Sequence, residues 1–248
     1  LALAKSDVLA QQILREDVVD KVLKRDLPSL YGIRNPLELE RIFLYLCKLS
    51  SDIVSIDAIA RELQGVTRPT VERYIAYMES ANLIYISLPI EMQGKKVLKA
   101  RPKIYVADTA IRNAVLMHDD VLTDPEELGR MVETTVFKHV SSFYYQKATQ
   151  VGYFRGGERM KEVDVVVDLP NVRKVLIEVK FREQAPIADD DAICLLAEEA
   201  SHAFVITKRF DDYGTHHTPS GKELIRLPAF AFMYLLGHAE KNKREGMV

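Results

Sequence analysis

The stretch that most limits what this chain can fold into is residues 162–182, E-V-D-V-V-V-D-L-P-N-V-R-K-V-L-I-E-V-K-F-R. Two β-branched runs flank a break at Leu169-Pro170-Asn171, a pattern that predicts a β-hairpin. Strand side chains have a period of two. Val163, Val165 and Val167 therefore share one face of the first run, and Glu162, Asp164 and Val166 the other. In the second run Val175, Ile177 and Val179 oppose Lys174, Leu176, Glu178 and Lys180. A turn centred near Asn171 sets Asp164 about opposite Glu178, with Cβ atoms about 4.5–5.5 Å apart. Two carboxylates that close repel each other unless a cation neutralises them. Lys180 follows Glu178 on the same face. Two acids and a lysine on one polar face suit a hard divalent cation, Mg²⁺ or Mn²⁺, which prefers oxygen ligands and keeps several waters. The same pattern also describes an edge hairpin with a solvated charged face.

The rest of the chain carries no competing chemistry. No G-x-S-x-G elbow and no H-E-x-x-H spacing occur, and the doublet His216-His217 lies in a predicted loop. Neither Gly94-Lys95-Lys96 nor Gly221-Lys222-Glu223 has the flanking residues of a phosphate cradle, so no ATPase activity is expected from this chain. Cys47 and Cys194 sit far apart in apolar surroundings and read as buried thiols in a reducing cytoplasm. No apolar run reaches membrane-spanning length. The net charge of −2 over 248 residues gives no global basic field, but bases concentrate at Lys95, Lys96, Lys99, Arg101 and Lys103. Acids collect later, at 119–127 and 189–191.

Taken in order, residues 7–26 predict an amphipathic helix with Val8, Ile13, Val18, Val22 and Leu23 on its stripe, ended by Leu27-Pro28. Asn35 and Pro36 open a second helix running to about Leu49, with Leu37, Ile42, Leu44, Tyr45 and Leu46 on its apolar face. A short helix from about Ile56 stops at Gly65, and Thr67 and Pro69 start another. That pair is a helix-turn-helix pattern. Strands near 82–88 and 103–107 follow, so the region reads as a winged helix. Its DNA contacts would be Arg68, Thr70, Arg73, Lys95, Lys96 and Lys99, the wing touching phosphates. Winged helices also serve as protein-interaction modules, and Glu72 and Glu79 dilute this positive face.

Asp108 caps a helix to about Leu116, and 117–125 reads as a linker. A long helix over 126–146 follows, with Leu128, Met131, Val132, Thr135, Val136, Val140, Phe143 and Tyr144 as its buried stripe. Next come a strand at 152–155, the hairpin, a helix over 191–200 and a strand at 203–207. A strand at 223–227 and a helix over 229–236 close the chain before a polar tail. The expected architecture is α+β or α/β: a helical winged-helix domain over 1–118, then a restriction-endonuclease-like α/β domain with a mixed sheet over 119–248.

Asp164 with the triplet Glu178-Val179-Lys180 resembles the D-(x)n-E-x-K core of the PD-(D/E)XK nuclease superfamily. The resemblance implies that Asp164 and Glu178 hold Mg²⁺ and that Lys180 orients or activates the attacking water. In such folds the helix before the first core strand often supplies one more acid at the metal, which here points to Glu133, the acid in mid-helix. The joined pattern also resembles a prokaryotic family of AAA-type ATPases whose C-terminal region is a domain of unknown function. R-E-D-V-V-D-K-V-L-K-R-D-L-P-S-L-Y-G-I (15–33), V-T-R-P-T-V-E-R-Y-I-A-Y-M-E-S-A-N-L-I (66–84), G-R-M-V-E-T-T-V-F (129–137), E-V-D-V-V-V-D (162–168) and I-E-V-K (177–180) carry it. It implies an ATPase core N-terminal to Leu1. DNA is the expected partner and the cytoplasm the expected location, and a homo-oligomer stays open. Two functional expectations follow: a metal-dependent DNA endonuclease, or a DNA- or protein-binding module with a nuclease fold that no longer cuts.

Overall fold

The computed structural model describes residues 7–92, 101–118, 121–156, 161–170 and 174–244. The chain divides into two compact units. One comprises Leu1–Ser87 with Arg101–Arg130 and is mostly helical; the other comprises Leu88–Ala100 with Met131–Val248 and combines helices with an open mixed sheet.

In the first unit residues 7–31 stay helical throughout. α1 (Asp7–Ile13) passes into π-type turns at Leu14–Asp20 and Val22–Asp26, then into α2 (Leu27–Tyr31). Its buried residues are Val19, Leu23 and Leu27, whereas Val8 and Ile13 of the predicted stripe are exposed. Leu23 of the predicted stripe is buried and Val18 and Val22 are half-buried, while burial extends to Val19 and Leu27, four residues to either side of Leu23. Pro28 does not end the helix. It falls in the first turn of α2, where a missing N–H costs least. The stop comes at Gly32, whose φ of 64° is left-handed and suits a residue without Cβ.

α3 (Pro36–Lys48) buries Leu39, Ile42, Phe43, Leu46 and Cys47, a clean helical stripe. Leu37 and Leu44, expected inside, are exposed. β1 (Asp52–Ile53) leads to α4 (Ile56–Glu62), capped by Ser55 Oγ, which accepts from Ala58 N at 3.3 Å. α5 (Arg68–Ser80) is capped by Thr67 and buries Val71, Tyr74, Ile75 and Met78. β2 (Ile84–Ser87) and β3 (Lys103–Val106) complete an antiparallel sheet of order β1-β3-β2 among the described residues. α6 (Thr109–Leu116) starts at Asp108, whose Oδ1 accepts from Ala110 N at 2.9 Å.

The predicted boundary at 118 and 119 lies earlier than the division between the units, which falls within α7 (Pro125–Tyr144). The reason is ionic. Buried Arg112 of α6 donates to Cys47 O at 2.8 Å and pairs with both carboxylate oxygens of Glu127, and its hydrogen bond holds Glu127 below the usual carboxylate range. Arg130 reaches Asp52 at 2.8 Å. Both ties hold the first turns of α7 in the first unit. Further along, α7 buries Thr134, Val136, Phe137 and Val140. Leu128, Met131, Val132, Thr135, Phe143 and Tyr144 of the predicted stripe are only half-buried.

The second unit contains β4 (Gln150–Arg155), β5 (Glu162–Asp168), β6 (Lys174–Lys180), α8 (Ala192–Leu196), β7 (Ala200–Thr207), β8 (Gly214–His217), β9 (Glu223–Pro228) and α9 (Ala229–Arg244). Among the described residues the sheet order is β4-β5-β6-β7-β9-β8. β6, β7 and β9 run parallel, while the β4–β5, β5–β6 and β8–β9 pairs are antiparallel. The predicted loop around His216-His217 is strand β8, pairing His216 with Leu224. The helix predicted over 191–200 is shorter, because Ala200 already pairs with Lys174. α9 runs on to Arg244, past the expected fraying at 241.

Gly152 of β4 is needed for a close approach. A Cβ there would collide with the Leu88 carbonyl and crowd Ile90. That approach lets Ile90 N donate to Tyr153 O at 2.7 Å. One face of the sheet packs Val163, Val166, Leu176 and Val205 against Ile193 and Leu196.

Candidate functional site

The hairpin is real, and its first strand is irregular at the residue that matters most. β4 and β5 pair as Gly152 with Val166 and as Phe154 with Val163. Asp164 and Val165 therefore both stand across from Tyr153, a β-bulge. A bulge inserts one residue, breaks the period of two and re-aims side chains. This corrects the expected alternation: Val163 packs in one cluster with Val166 and Leu176, and Val165, Val166 and Val167 are all buried. The cause is that extra residue, which strict alternation cannot include.

The β5–β6 register runs Val165 with Ile177, Val166 with Leu176 and Val167 with Val175. Past the last of these pairs the Asp164 carboxylate takes the place of a ladder carbonyl, its Oδ2 accepting from Val179 N at 2.8 Å. Asp164 is thus seated on the backbone between Glu178 and Lys180. Glu178 is half-buried and its Oε2 is screened from solvent.

Lys180 faces a partner that sequence reasoning missed. Its Nζ donates to Asp191 Oδ2 at 2.8 Å, with both side chains nearly enclosed. Asp191 holds the N-cap position of α8 but directs its carboxylate elsewhere. Oδ2 also accepts from Ala188 N at 3.0 Å, and Oδ1 accepts from Lys161 Nζ at 2.8 Å. Burial pushes the Asp191 carboxyl up, but the hydrogen bonds from Lys161, Lys180 and Ala188 N outweigh it and hold the pKa at about 2. The run Asp189-Asp190-Asp191 was legible as acidic; which of the three would reach Lys180 was not.

Glu133 is half-buried in α7. Among the described residues no group of three or more Asp, Glu, His or Cys side chains stands out as a metal site. Asp164 and Glu178 are two carboxylates. That is a set Mg²⁺ accepts, since it keeps several waters and commonly takes one or two carboxylates plus a substrate phosphate.

In the first unit the predicted contacts behave differently from one another. Arg68 is exposed, but Nη1 reaches Asp57 Oδ2 at 2.9 Å and Nε reaches Glu72 Oε1 at 2.9 Å. Thr70 Oγ1 lies 3.0 Å from Thr67 Oγ1, within the cap of α5. Arg73 is exposed, with its guanidinium 6.0 Å from the centroid of the Tyr74 ring. Lys95, Lys96 and Lys99 lie outside the described residues. Both cysteines are buried and free, and burial pushes Cys47 up to about 12 and Cys194 to about 11. Among the described residues no helix is long and apolar enough to cross a membrane.

Comparison with known proteins gives relatives without an assigned role. Residues 1–121 match a family model described as a domain of unknown function (DUF8612), and residues 128–230 match another so described (DUF4143). An uncharacterized protein of Haemophilus influenzae is 24% identical over 206 residues, which cover 73% of this chain and 52% of that protein. The chain thus spans about half the length of the relative it matches. No solved structure matches.

Proposed function

We propose that this chain is the nucleic-acid-binding and nuclease-like region of an AAA-type ATPase. In this reading the second unit is a PD-(D/E)XK-type fold that hydrolyses DNA phosphodiesters with a divalent metal, and the first is a winged helix that docks duplex DNA. The observation that carries it is the Asp164 carboxylate seated on Val179 N–H, at a bulge, between Glu178 and Lys180. Bulges are over-represented beside active sites because they re-aim a side chain out of the ladder.

Asp164 and Glu178 would hold Mg²⁺ or Mn²⁺, which when bound polarises a phosphate oxygen and lowers the pKa of its water. Lys180 would orient that water after exchanging Asp191 for it. Of the two predicted arginine contacts Arg73 is the better placed for a phosphate, since Arg68 is already paired with Asp57 and Glu72.

The second reading is a binding module that does not cut. The Lys180–Asp191 pair favours it, because a lysine held in an enclosed ion pair is not at a substrate's disposal. Supercoiled plasmid incubated with the full chain and Mg²⁺ or Mn²⁺ separates the two. Nicking that Asp164→Asn abolishes is expected; Asn still accepts from Val179 N, so the fold is kept and a carboxylate ligand lost. Nicking that survives the substitution refutes this assignment of the site. No nicking with either metal, with duplex binding intact, leaves the binding module.

A further inference from the structure

α5 carries a second feature, distinct from the tip bearing Arg68. Thr70, Arg73, Tyr74 and Tyr77 recur at helical spacing along one stripe, and with the α2–α3 corner they line a cleft of about 300 Å³. The corner contributes Tyr31 and Arg34, together with Asn35 and Glu38. The Tyr31 and Tyr77 rings stack with centroids 3.7 Å apart and planes 8° from parallel. Tyr31 is 36% exposed. Among the described residues neither Arg34 nor Arg73 takes part in an ion pair, in contrast to Arg68. The one carboxylate in the cleft, Glu38, accepts from Asn35 Nδ2 at 2.9 Å.

Tyr31 and Tyr77 cover one face of each other, so the stack meets a ligand with an outer ring face; that face and two guanidinium groups outside any ion pair define the ligand chemistry. A guanidinium binds phosphate in a planar, bidentate fork. A tyrosine face stacks on a base whatever its identity, each base contributing about 1–3 kcal/mol. A duplex offers the cleft only phosphates, because its base faces are covered by their neighbours. A volume near 300 Å³ lies at the small end of ligand clefts, the scale of one nucleotide unit.

We infer that this cleft binds a nucleotide unit with an unstacked base, Arg34 and Arg73 on its phosphate and the Tyr31–Tyr77 pair against its base. The unit comes either as a free mononucleotide or as an unpaired position in single-stranded nucleic acid. This rests on the reading of α5 as a nucleic-acid contact and deepens it from duplex docking to recognition of an unpaired base.

The test uses the full chain and fluorescence anisotropy with a labelled twelve-nucleotide single strand, the matching duplex, and unlabelled thymidine and adenosine monophosphates as competitors. The single strand is expected to bind about tenfold or more tightly than the duplex. Tyr31→Ala is expected to weaken single-strand binding about tenfold and leave duplex binding unchanged. Arg34→Ala, at an exposed loop position, is expected to weaken single-strand binding as well and covers the case that Tyr31→Ala disturbs α2. Competition by the monophosphates assigns the free nucleotide as ligand; binding of the oligonucleotide without it assigns the single strand. Equal affinity for both strand forms, unmoved by Tyr31→Ala and Arg34→Ala, overturns the inference while leaving duplex docking intact. Single-strand binding without duplex binding removes duplex docking and keeps the cleft. A poly-glutamate peptide displacing the oligonucleotide as well as a second oligonucleotide does overturns it in favour of an acidic-peptide groove.

Discussion

Replacing Asp191 by Asn tests the ion-pair network beside the hairpin. The native carboxyl is held at about 2 against an ordinary 3.8, so nearly two pH units of preference for the charged form accompany folding. At 1.36 kcal/mol per unit, ionisation of Asp191 contributes about 2 kcal/mol at neutral pH. Because the folded pKa is depressed, that contribution is full above about pH 5, about half gone near pH 3, and lost as pH falls through about 2. Asn removes the charge but fills the same space. It also leaves Lys180, whose side chain is 10% exposed, without its anion, which pushes the cost toward the 3–5 kcal/mol typical of a broken buried pair. Urea unfolding followed by far-ultraviolet circular dichroism is therefore expected to show Asp191→Asn destabilised by about 2–4 kcal/mol at pH 7. The gap between variant and parent should shrink toward pH 3. A loss under about 0.5 kcal/mol, the scale of an ordinary surface substitution, or a gap that is the same at pH 7 and pH 3, refutes the reasoning.

Two other perturbations have defined outcomes. Gly152→Ala sets a Cβ against the Leu88 carbonyl, so the 88–90 segment must leave β4; a loss of about 1–3 kcal/mol, typical of overpacking, and faster hydrogen exchange at Ile90 are expected, and an unchanged exchange rate would contradict the contact. Cys47 and Cys194, with thiols pushed to about 12 and 11 and both buried, should resist iodoacetamide at pH 8 in the native protein and react once it is unfolded in urea; native-state alkylation of Cys47 would mean that the first unit's core opens.

Much of the local structure was determined by the sequence itself. Ser55, Thr67 and Asp108 mark helix starts because their side-chain oxygens accept from N–H groups the helix leaves unpaired, and that chemistry spans only three residues. The alternating valines and the Leu169-Pro170 break likewise specify β5 and β6 as an antiparallel pair. The faces were less secure. Burial over residues 7–31 kept Leu23 but ran to Val19 and Leu27 and left Val8 and Ile13 exposed, and a single extra residue in β5 put Val163 with Val166. Both arise from how a segment's backbone fits its neighbours, which a fixed period cannot represent. The Lys180–Asp191–Lys161 network and the cleft between Tyr31, Arg34 and Arg73 were beyond the sequence for the same reason. A cap or a strand is decided by residues adjacent in the chain. An ion pair between β6 and the start of α8, or a cleft joining α2 to α5, depends on packing that brings distant residues within a few ångströms, and only the tertiary structure sets that.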